Sequence, residues 1–169
     1  MIPTRIRSFP AVHALALAAA AFWAGAAPAA ELAREGDFSA TYCFVGNSAT
    51  LVESKTDLAF SFELTGPVRA ETPGSFLDMT SVHCVGLGEI KGGTPSGTHR
   101  CQFMDADGDR VFARFQAAGP KTTLEISGGT GKYAGIPGAG ETQSLGRFPK
   151  IKDGTFQGCT RGGGRYRLP

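Results

Sequence analysis

A glycine-rich segment, residues 128–135 (GGTGKYAG), superficially resembles a phosphate-binding loop. That loop needs the pattern G-x-x-x-x-G-K-[ST] between a buried parallel strand and a helix, so that backbone N–H groups surround the phosphate. Here Lys132 is followed by Tyr133 instead of Ser or Thr, and no helical periodicity follows. The segment is therefore interpreted as a tight corner in which Tyr133 packs over one end of the fold. A role of Lys132 or Tyr133 at the rim of a pocket is the alternative.

Three aspartates could ligate a cation, because Asp105, Asp107 and Asp109 have the i, i+2, i+4 spacing that begins an EF-hand loop. The rest of that loop is missing, since its sixth position would be Arg110 instead of Gly and its twelfth Gln116 instead of Glu. Asp-Gly between two alternating runs is typical of a hairpin turn. We therefore predict a turn without a metal site, with a weak surface calcium site as the alternative.

Acid–base chemistry has few candidates in the sequence. His83 and His99 stand near no nucleophile signature, and no G-x-S-x-G occurs, so both are expected on strand surfaces. If a general acid or base is used, it would come from the titratable residues in or beside strands, which are Glu63, His83, Glu89, Glu125 and Glu141. Alternation alone does not show which of them point inward. No catalytic residue and no cofactor is therefore assigned.

The first 29 residues have the composition of a signal peptide. Two arginines without an acid precede an alanine-rich apolar run at 11–21, and Ala27-Pro28-Ala29 has small residues at the -3 and -1 positions of a cleavage site. We predict cleavage and export to the periplasm or the exterior of a bacterium. An uncleaved N-terminal anchor is the alternative. Residues 30–169 would then form a single mature domain.

The predicted mature domain is electrically balanced. Removing Arg5 and Arg7 from the 17 basic residues leaves 15, which equals the number of acidic residues. A neutral chain does not favour a nucleic-acid partner, because such binding depends on neutralising phosphates. No later apolar run approaches the roughly 20 residues of a spanning helix. The oligomeric state is not defined by these features.

Period-2 alternation dominates the chain after residue 36, whereas helical periodicity is nearly absent. Turn residues at 66–67, 72–74, 91–97, 105–109 and 118–120 separate the alternating runs. The predicted strands are 38–44, 58–64, 75–85, 98–104, 110–116, 122–127, 138–145 and 155–160. Eight short strands joined by turns predict an all-β fold, an eight-stranded antiparallel up-and-down β-barrel, because closure removes exposed sheet edges. A β-sandwich is the alternative.

Four cysteines in a small exported domain usually form structural disulfides. No C-x-x-C pair exists, and the long intervals between the cysteines do not favour zinc. Three pairings are possible in principle. In a closed meander the first strand neighbours the last and the third neighbours the fourth, which predicts Cys43–Cys159 and Cys84–Cys101.

The glycine-rich corner also carries a family resemblance. Residues 129–136 (GTGKYAGI), followed by Gly138-Ala139-Gly140, resemble a corner and strand of the allene oxide cyclase and dirigent barrel superfamily. The hairpin Asp107-Gly108-Asp109 is similar to that of uncharacterised exported bacterial members. The resemblance covers about 101–141 and implies an eight-stranded barrel whose lumen takes a hydrophobic small molecule. It transfers no catalytic residue, because the shared motif is structural.

These observations favour a binding protein that holds a hydrophobic small molecule inside the barrel. The candidate ligand-binding residues are Phe60, Phe62, Phe115, Leu124 and Tyr133. One alternative is a cofactor-independent cyclase or isomerase, in which the lumen folds the substrate and one carboxylate or tyrosine assists. The other is an envelope interaction protein whose barrel is filled by its own side chains.

Overall fold

The computed structural model describes residues 32–169, so the predicted signal peptide lies outside the described residues. The described chain consists of eight strands and one short 3-10 helix, residues Gly131–Tyr133. The strands are β1 (Glu35–Val52), β2 (Leu58–Ala70), β3 (Thr80–Lys91), β4 (Thr94–Met104), β5 (Arg110–Ala118), β6 (Lys121–Gly129), β7 (Gly138–Arg147) and β8 (Thr155–Arg167). Within 32–169, no helix has the length and apolar character needed to cross a membrane.

Each strand pairs antiparallel with the next, and β8 pairs with β1 to close the barrel. The closing register runs from Glu35 opposite Arg167 to Asn47 opposite Thr155. The predicted fold class, an eight-stranded antiparallel up-and-down β-barrel, is confirmed. Because the strands run up and down, the β1–β2, β3–β4, β5–β6 and β7–β8 connections (the odd-numbered ones) lie at one end of the barrel. The β2–β3, β4–β5 and β6–β7 connections (the even-numbered ones) lie at the other end.

The predicted turn at 66–67 is wrong, because β2 continues through Gly66 and Pro67 to Ala70. Two further predicted boundaries are also wrong. The predicted strand 75–85 begins only at Thr80, because Leu77 and Met79 have positive φ values of 67° and 56° that interrupt extended backbone. The predicted loop 91–97 is only a two-residue turn, in which Gly92 and Gly93 supply the positive φ of a tight hairpin. Both differences arise from backbone conformation that side-chain alternation does not reveal.

Residues 71–79 close the end of the barrel where the even-numbered connections meet. Phe76 is 1% exposed and stacks on Tyr166 with ring centroids 4.2 Å apart. Phe38 meets Phe76 edge-on at 5.4 Å, and Tyr133 meets it at 6.0 Å. Ile136, also 1% exposed, completes the seal. This end of the barrel is therefore a packed aromatic core.

The glycine-rich corner is tied to the β4–β5 turn at this closed end. The Lys132 ammonium lies 2.8 Å from an Asp105 carboxylate oxygen and 2.7 Å from one of Asp107. Asp109 accepts a hydrogen bond from the Lys132 backbone N–H, and Gly131 has φ +51° where a Cβ would collide with the Asp109 carboxylate. These carboxylates raise the pKa of Lys132. Lys132 thus occupies the place of the cation that the calcium alternative requires.

The two disulfides face opposite sides of the barrel wall. Cys43–Cys159 joins directly opposite residues of β1 and β8, and Cys43 is exposed. Cys84–Cys101 joins opposite residues of β3 and β4, and both cysteines face inward, 1% and 5% exposed. The pairs are those expected from the order of strands in a closed meander. The outer bond links the first strand to the last and holds the closing seam.

We predict that removing the seam disulfide by Cys43→Ala with Cys159→Ala lowers the free energy of unfolding by about 4–5 kcal/mol. The bond closes a loop with a sequence separation of 116, and its removal from the outer wall leaves no internal cavity. Urea denaturation of the oxidised proteins measures the change. Cys84→Ala with Cys101→Ala is the comparison, since its loop separation is only 17. A seam loss below about 1 kcal/mol would contradict this account.

Candidate ligand-binding cavity

The end of the barrel opposite the aromatic core contains a cavity of about 610 Å³. Its walls come from the inward residues of the strands, and its mouth lies among the β1–β2, β3–β4, β5–β6 and β7–β8 connections. Six aromatic rings line it: Tyr42, Phe44, Phe60, Phe62, His99 and Phe156. The barrel is therefore filled by side chains at one end and contains an open cavity at the other.

The aromatic side chains of the cavity lie opposite glycines on the neighbouring strands. Phe60 is paired with Gly88 and Phe62 with Gly86 across β2 and β3. Phe156 is paired with Gly46 and Phe44 with Gly158 across β8 and β1. A Cβ at Gly86 would stand 2.6 Å from the Phe62 ring, and one at Gly46 would stand 2.6 Å from Phe156. Because glycine has no Cβ, each ring lies against the partner strand and leaves the centre of the lumen open.

The rings also contact one another and form a continuous apolar wall. Phe62 lies 6.1 Å from Phe60 and 6.0 Å from Phe156, measured between ring centroids. Phe44 meets Phe156 edge-on at 6.0 Å. Such distances and angles are those that aromatic pairs prefer. The wall extends from β2 across β1 to β8, and an apolar molecule in the cavity would contact several rings at once.

His99 faces the lumen and contributes an imidazole ring to the cavity wall. The prediction that it lies on a strand surface is therefore wrong. Its ring stacks on Phe115 with centroids 4.5 Å apart and planes 5° apart, and it meets Phe62 at 5.5 Å. Burial lowers the pKa of His99 to about 4, so the ring is neutral at neutral pH. Sequence alternation contained the signal, because His99, Cys101 and Phe103 share one face of β4.

The other polar groups of the cavity are hydroxyls and one cation. Burial raises the pKa of Tyr42 to about 12 against the opposing hydrogen bonds of Thr142 and Thr160, so its phenol stays protonated. Arg147 stands at the mouth. Among residues 32–169, no Asp or Glu side chain lines the cavity. The arrangement can therefore contact an apolar body and offer it uncharged hydrogen-bonding groups.

The acidic residues considered for acid–base chemistry are exposed on the outer wall. Glu63 lies 2.8 Å from the imidazole of His83, which is also on the outer face. Glu89 accepts a hydrogen bond from Ser96, and Glu125 pairs with an arginine across β5 and β6. Glu141 is exposed on β7. None of the four carboxylates faces the lumen.

The five predicted ligand-binding residues occupy three levels of the barrel. Phe60 and Phe62 line the cavity. Phe115 and Leu124, 1% and 5% exposed, lie below it in the core, where Phe115 supports His99. Tyr133 lies against Phe76 at the closed end, remote from the cavity, because the glycine-rich corner belongs to the β6–β7 connection. A contact between Phe60 or Phe62 and a ligand stays a prediction.

Neither a protein-family model nor a curated protein matches the sequence. Among solved structures, the chain is similar to a pterocarpan synthase dirigent protein, with 13% sequence identity and a TM-score of 0.47. The similarity covers 80% of this chain and 93% of that chain.

We predict that Gly88→Ala turns the Phe60 ring into the lumen, because the three atoms nearest to the new Cβ all belong to that ring, at 3.0 Å or less. Crystals pressurised with xenon, which occupies apolar cavities, should lose the xenon site beside Phe60. Gly162→Ala is the matched control, since its Cβ would meet neighbours at an ordinary 3.4 Å. Unchanged xenon occupancy in Gly88→Ala would contradict the role given to this glycine.

We also predict that His99 makes stability depend on pH. Its pKa is lowered from 6.5 to about 4 in the folded protein, so the unfolded chain binds more protons between these values. Stability should therefore be full above about pH 6.5 and fall toward pH 4, by up to about 3 kcal/mol from this group. Urea denaturation of wild type and His99→Phe at pH 7 and pH 4.5 measures the difference. Identical pH dependence of the two proteins would show that His99 is not responsible.

Proposed function

We propose that this protein is an exported β-barrel that binds a hydrophobic small molecule at the open end of its lumen. The observation that carries the proposal is the cavity of about 610 Å³ walled by phenylalanines whose rings pack over glycines of the neighbouring strands. This volume falls within the range of small-molecule sites, which are mostly apolar and carry a few polar groups. The closed end has its own packed aromatic core, separate from the cavity.

Apolar contact would supply most of the binding free energy. Burial of apolar surface contributes roughly 25 cal/mol per Å², so a ligand that buries about 200 Å² gains about 5 kcal/mol before the cost of association. The cavity favours binding over the interaction protein with a filled barrel. Partly exposed rings such as Phe60 and Phe62 are otherwise unfavourable to leave in contact with water.

Export to the periplasm or the cell exterior forms part of the proposal. Two disulfides suit an oxidising compartment, where such bonds persist. The composition of residues 1–29 supports the same destination. We place the protein, as a hypothesis, among exported bacterial members of the allene oxide cyclase and dirigent barrel superfamily, on the strength of the glycine-rich corner and the eight-stranded closed barrel.

The cyclase or isomerase is the second candidate. It calls for a lumen that folds the substrate and for one carboxylate or tyrosine. Within 32–169 the cavity lining offers Tyr42 and no carboxylate, and the pKa of Tyr42 is raised, which makes it a weak acid. Binding without chemistry therefore fits these residues better.

Native mass spectrometry of the protein purified from its own host tests the proposal. We expect an additional mass of a few hundred daltons that is lost in the denatured spectrum. Phe62→Ala should retain a smaller fraction of it, because a ring of the cavity wall is lost. Val85→Ala, on the outer face and 50% exposed, is the matched control and should retain it fully. A bare mass for wild type, together with no saturable binding of the apolar dye N-phenyl-1-naphthylamine, would overturn the proposal.

A further inference from the structure

His99 is a polar side chain of the cavity wall without a hydrogen-bond partner. A neutral imidazole has one N–H donor and one acceptor nitrogen. Neither ring nitrogen of His99 is hydrogen-bonded to another of residues 32–169, whereas both of His83 on the outer wall are in contact with Glu63 or Gln102. His99 is partly exposed to the cavity, so its donor and its acceptor are available to a molecule that enters the lumen.

The surroundings of His99 hold the ring in the wall. Phe115 lies parallel beneath it at 4.5 Å, and the edge of Phe62 stands against it at 5.5 Å. Gly86 is its cross-strand neighbour on β3, and a Cβ there would lie 2.5 Å from the His99 Cβ. The ring is therefore fixed by packing against apolar groups and does not depend on a polar contact for its position.

Some other polar groups of the cavity have local partners, whereas the side chains of Ser48, Thr50, Thr122 and Arg147 are hydrogen-bonded to none of residues 32–169. The Thr98 hydroxyl donates to the Phe115 carbonyl at 3.1 Å, and the Tyr42 phenol interacts with Thr142 and Thr160. The imidazole stays uncharged at neutral pH, since burial lowers the pKa of His99. An uncharged donor and acceptor in an apolar wall suits an uncharged oxygen, because a carboxylate would lose more hydration than this ring returns.

We infer that His99 is the hydrogen-bonding anchor of the lumen and that the ligand is an otherwise apolar molecule with an uncharged hydroxyl or carbonyl oxygen bonded to this ring. The inference rests on the proposed function. The aromatic wall supplies contact area for any apolar body of suitable size. Among apolar molecules of suitable size, His99 favours those whose oxygen lies within hydrogen-bond distance of the imidazole.

Two isosteric probes, 2-naphthol and 2-methylnaphthalene, separate the hydrogen bond from apolar contact. Their fluorescence can be followed without indole background, because residues 30–169 contain no Trp. Dissociation constants for both probes are measured with wild type, His99→Phe and Thr122→Val. Thr122→Val is the control because it removes another hydroxyl from the cavity lining. For each variant we compare the dissociation constant of 2-naphthol with that of 2-methylnaphthalene. The two probes differ in hydrophobicity, but this difference is the same for every variant and does not affect a comparison of the ratios.

We expect His99→Phe to raise the dissociation constant of 2-naphthol, relative to that of 2-methylnaphthalene, about five- to tenfold. 2-Methylnaphthalene should bind as well as before or better. Thr122→Val should leave the ratio unchanged. His99→Gln, which keeps a donor and an acceptor, should recover part of the preference, and this variant also serves if His99→Phe does not fold. A ratio that is the same in wild type, His99→Phe and His99→Gln would overturn the inference while leaving the proposed function intact. Failure of wild type to bind 2-naphthol would also overturn the inference, whereas the proposed function is overturned by a bare native mass together with no saturable binding of N-phenyl-1-naphthylamine.

Discussion

The pairing of aromatic rings with glycines across neighbouring strands is the constraint on which the hollow lumen depends. A small eight-stranded barrel has an interior that its own side chains can fill. Here Phe60 and Phe62 occupy the space above Gly88 and Gly86, and Phe44 and Phe156 are paired with glycines in the same way across β1 and β8. The rings thereby cover the backbone instead of meeting at the centre, and the result is an apolar cavity with aromatic walls.

The packed core and the candidate site lie at opposite ends of the barrel. Phe76 and its aromatic neighbours form a packed core at one end, and the seam disulfide links the first strand to the last on the outer wall. Protein cores normally pack densely, so an unfilled volume costs free energy that other contacts must offset. The closed end supplies those contacts. The open end is consequently free to carry exposed rings and an unpartnered imidazole, neither of which would favour folding by itself.

Alternation and turn residues were sufficient to predict the fold, because a half-buried antiparallel strand has a period of two and a closed meander has one strand order. The same order predicted which cysteines are neighbours. What alternation could not show was backbone conformation and facing direction: Leu77 and Met79 leave extended geometry, and His99 faces inward. The cavity itself depends on which glycine lies opposite which ring. That register is a tertiary property, so the sequence indicated Phe60 and Phe62, which line the cavity, together with Tyr133, which lies at the closed end.

The central claim is that the lumen is open at one end and walled by aromatic rings that pack over glycines. A high-resolution crystal structure of residues 30–169, purified without added ligand, tests it most directly through the electron density above Gly86 and Gly88. The account predicts Phe60 and Phe62 against the β3 backbone, with weak solvent density or a bound molecule in the space between the walls. Well-ordered Phe60 and Phe62 rings that turn away from Gly88 and Gly86 toward the barrel axis and fill the lumen would contradict it.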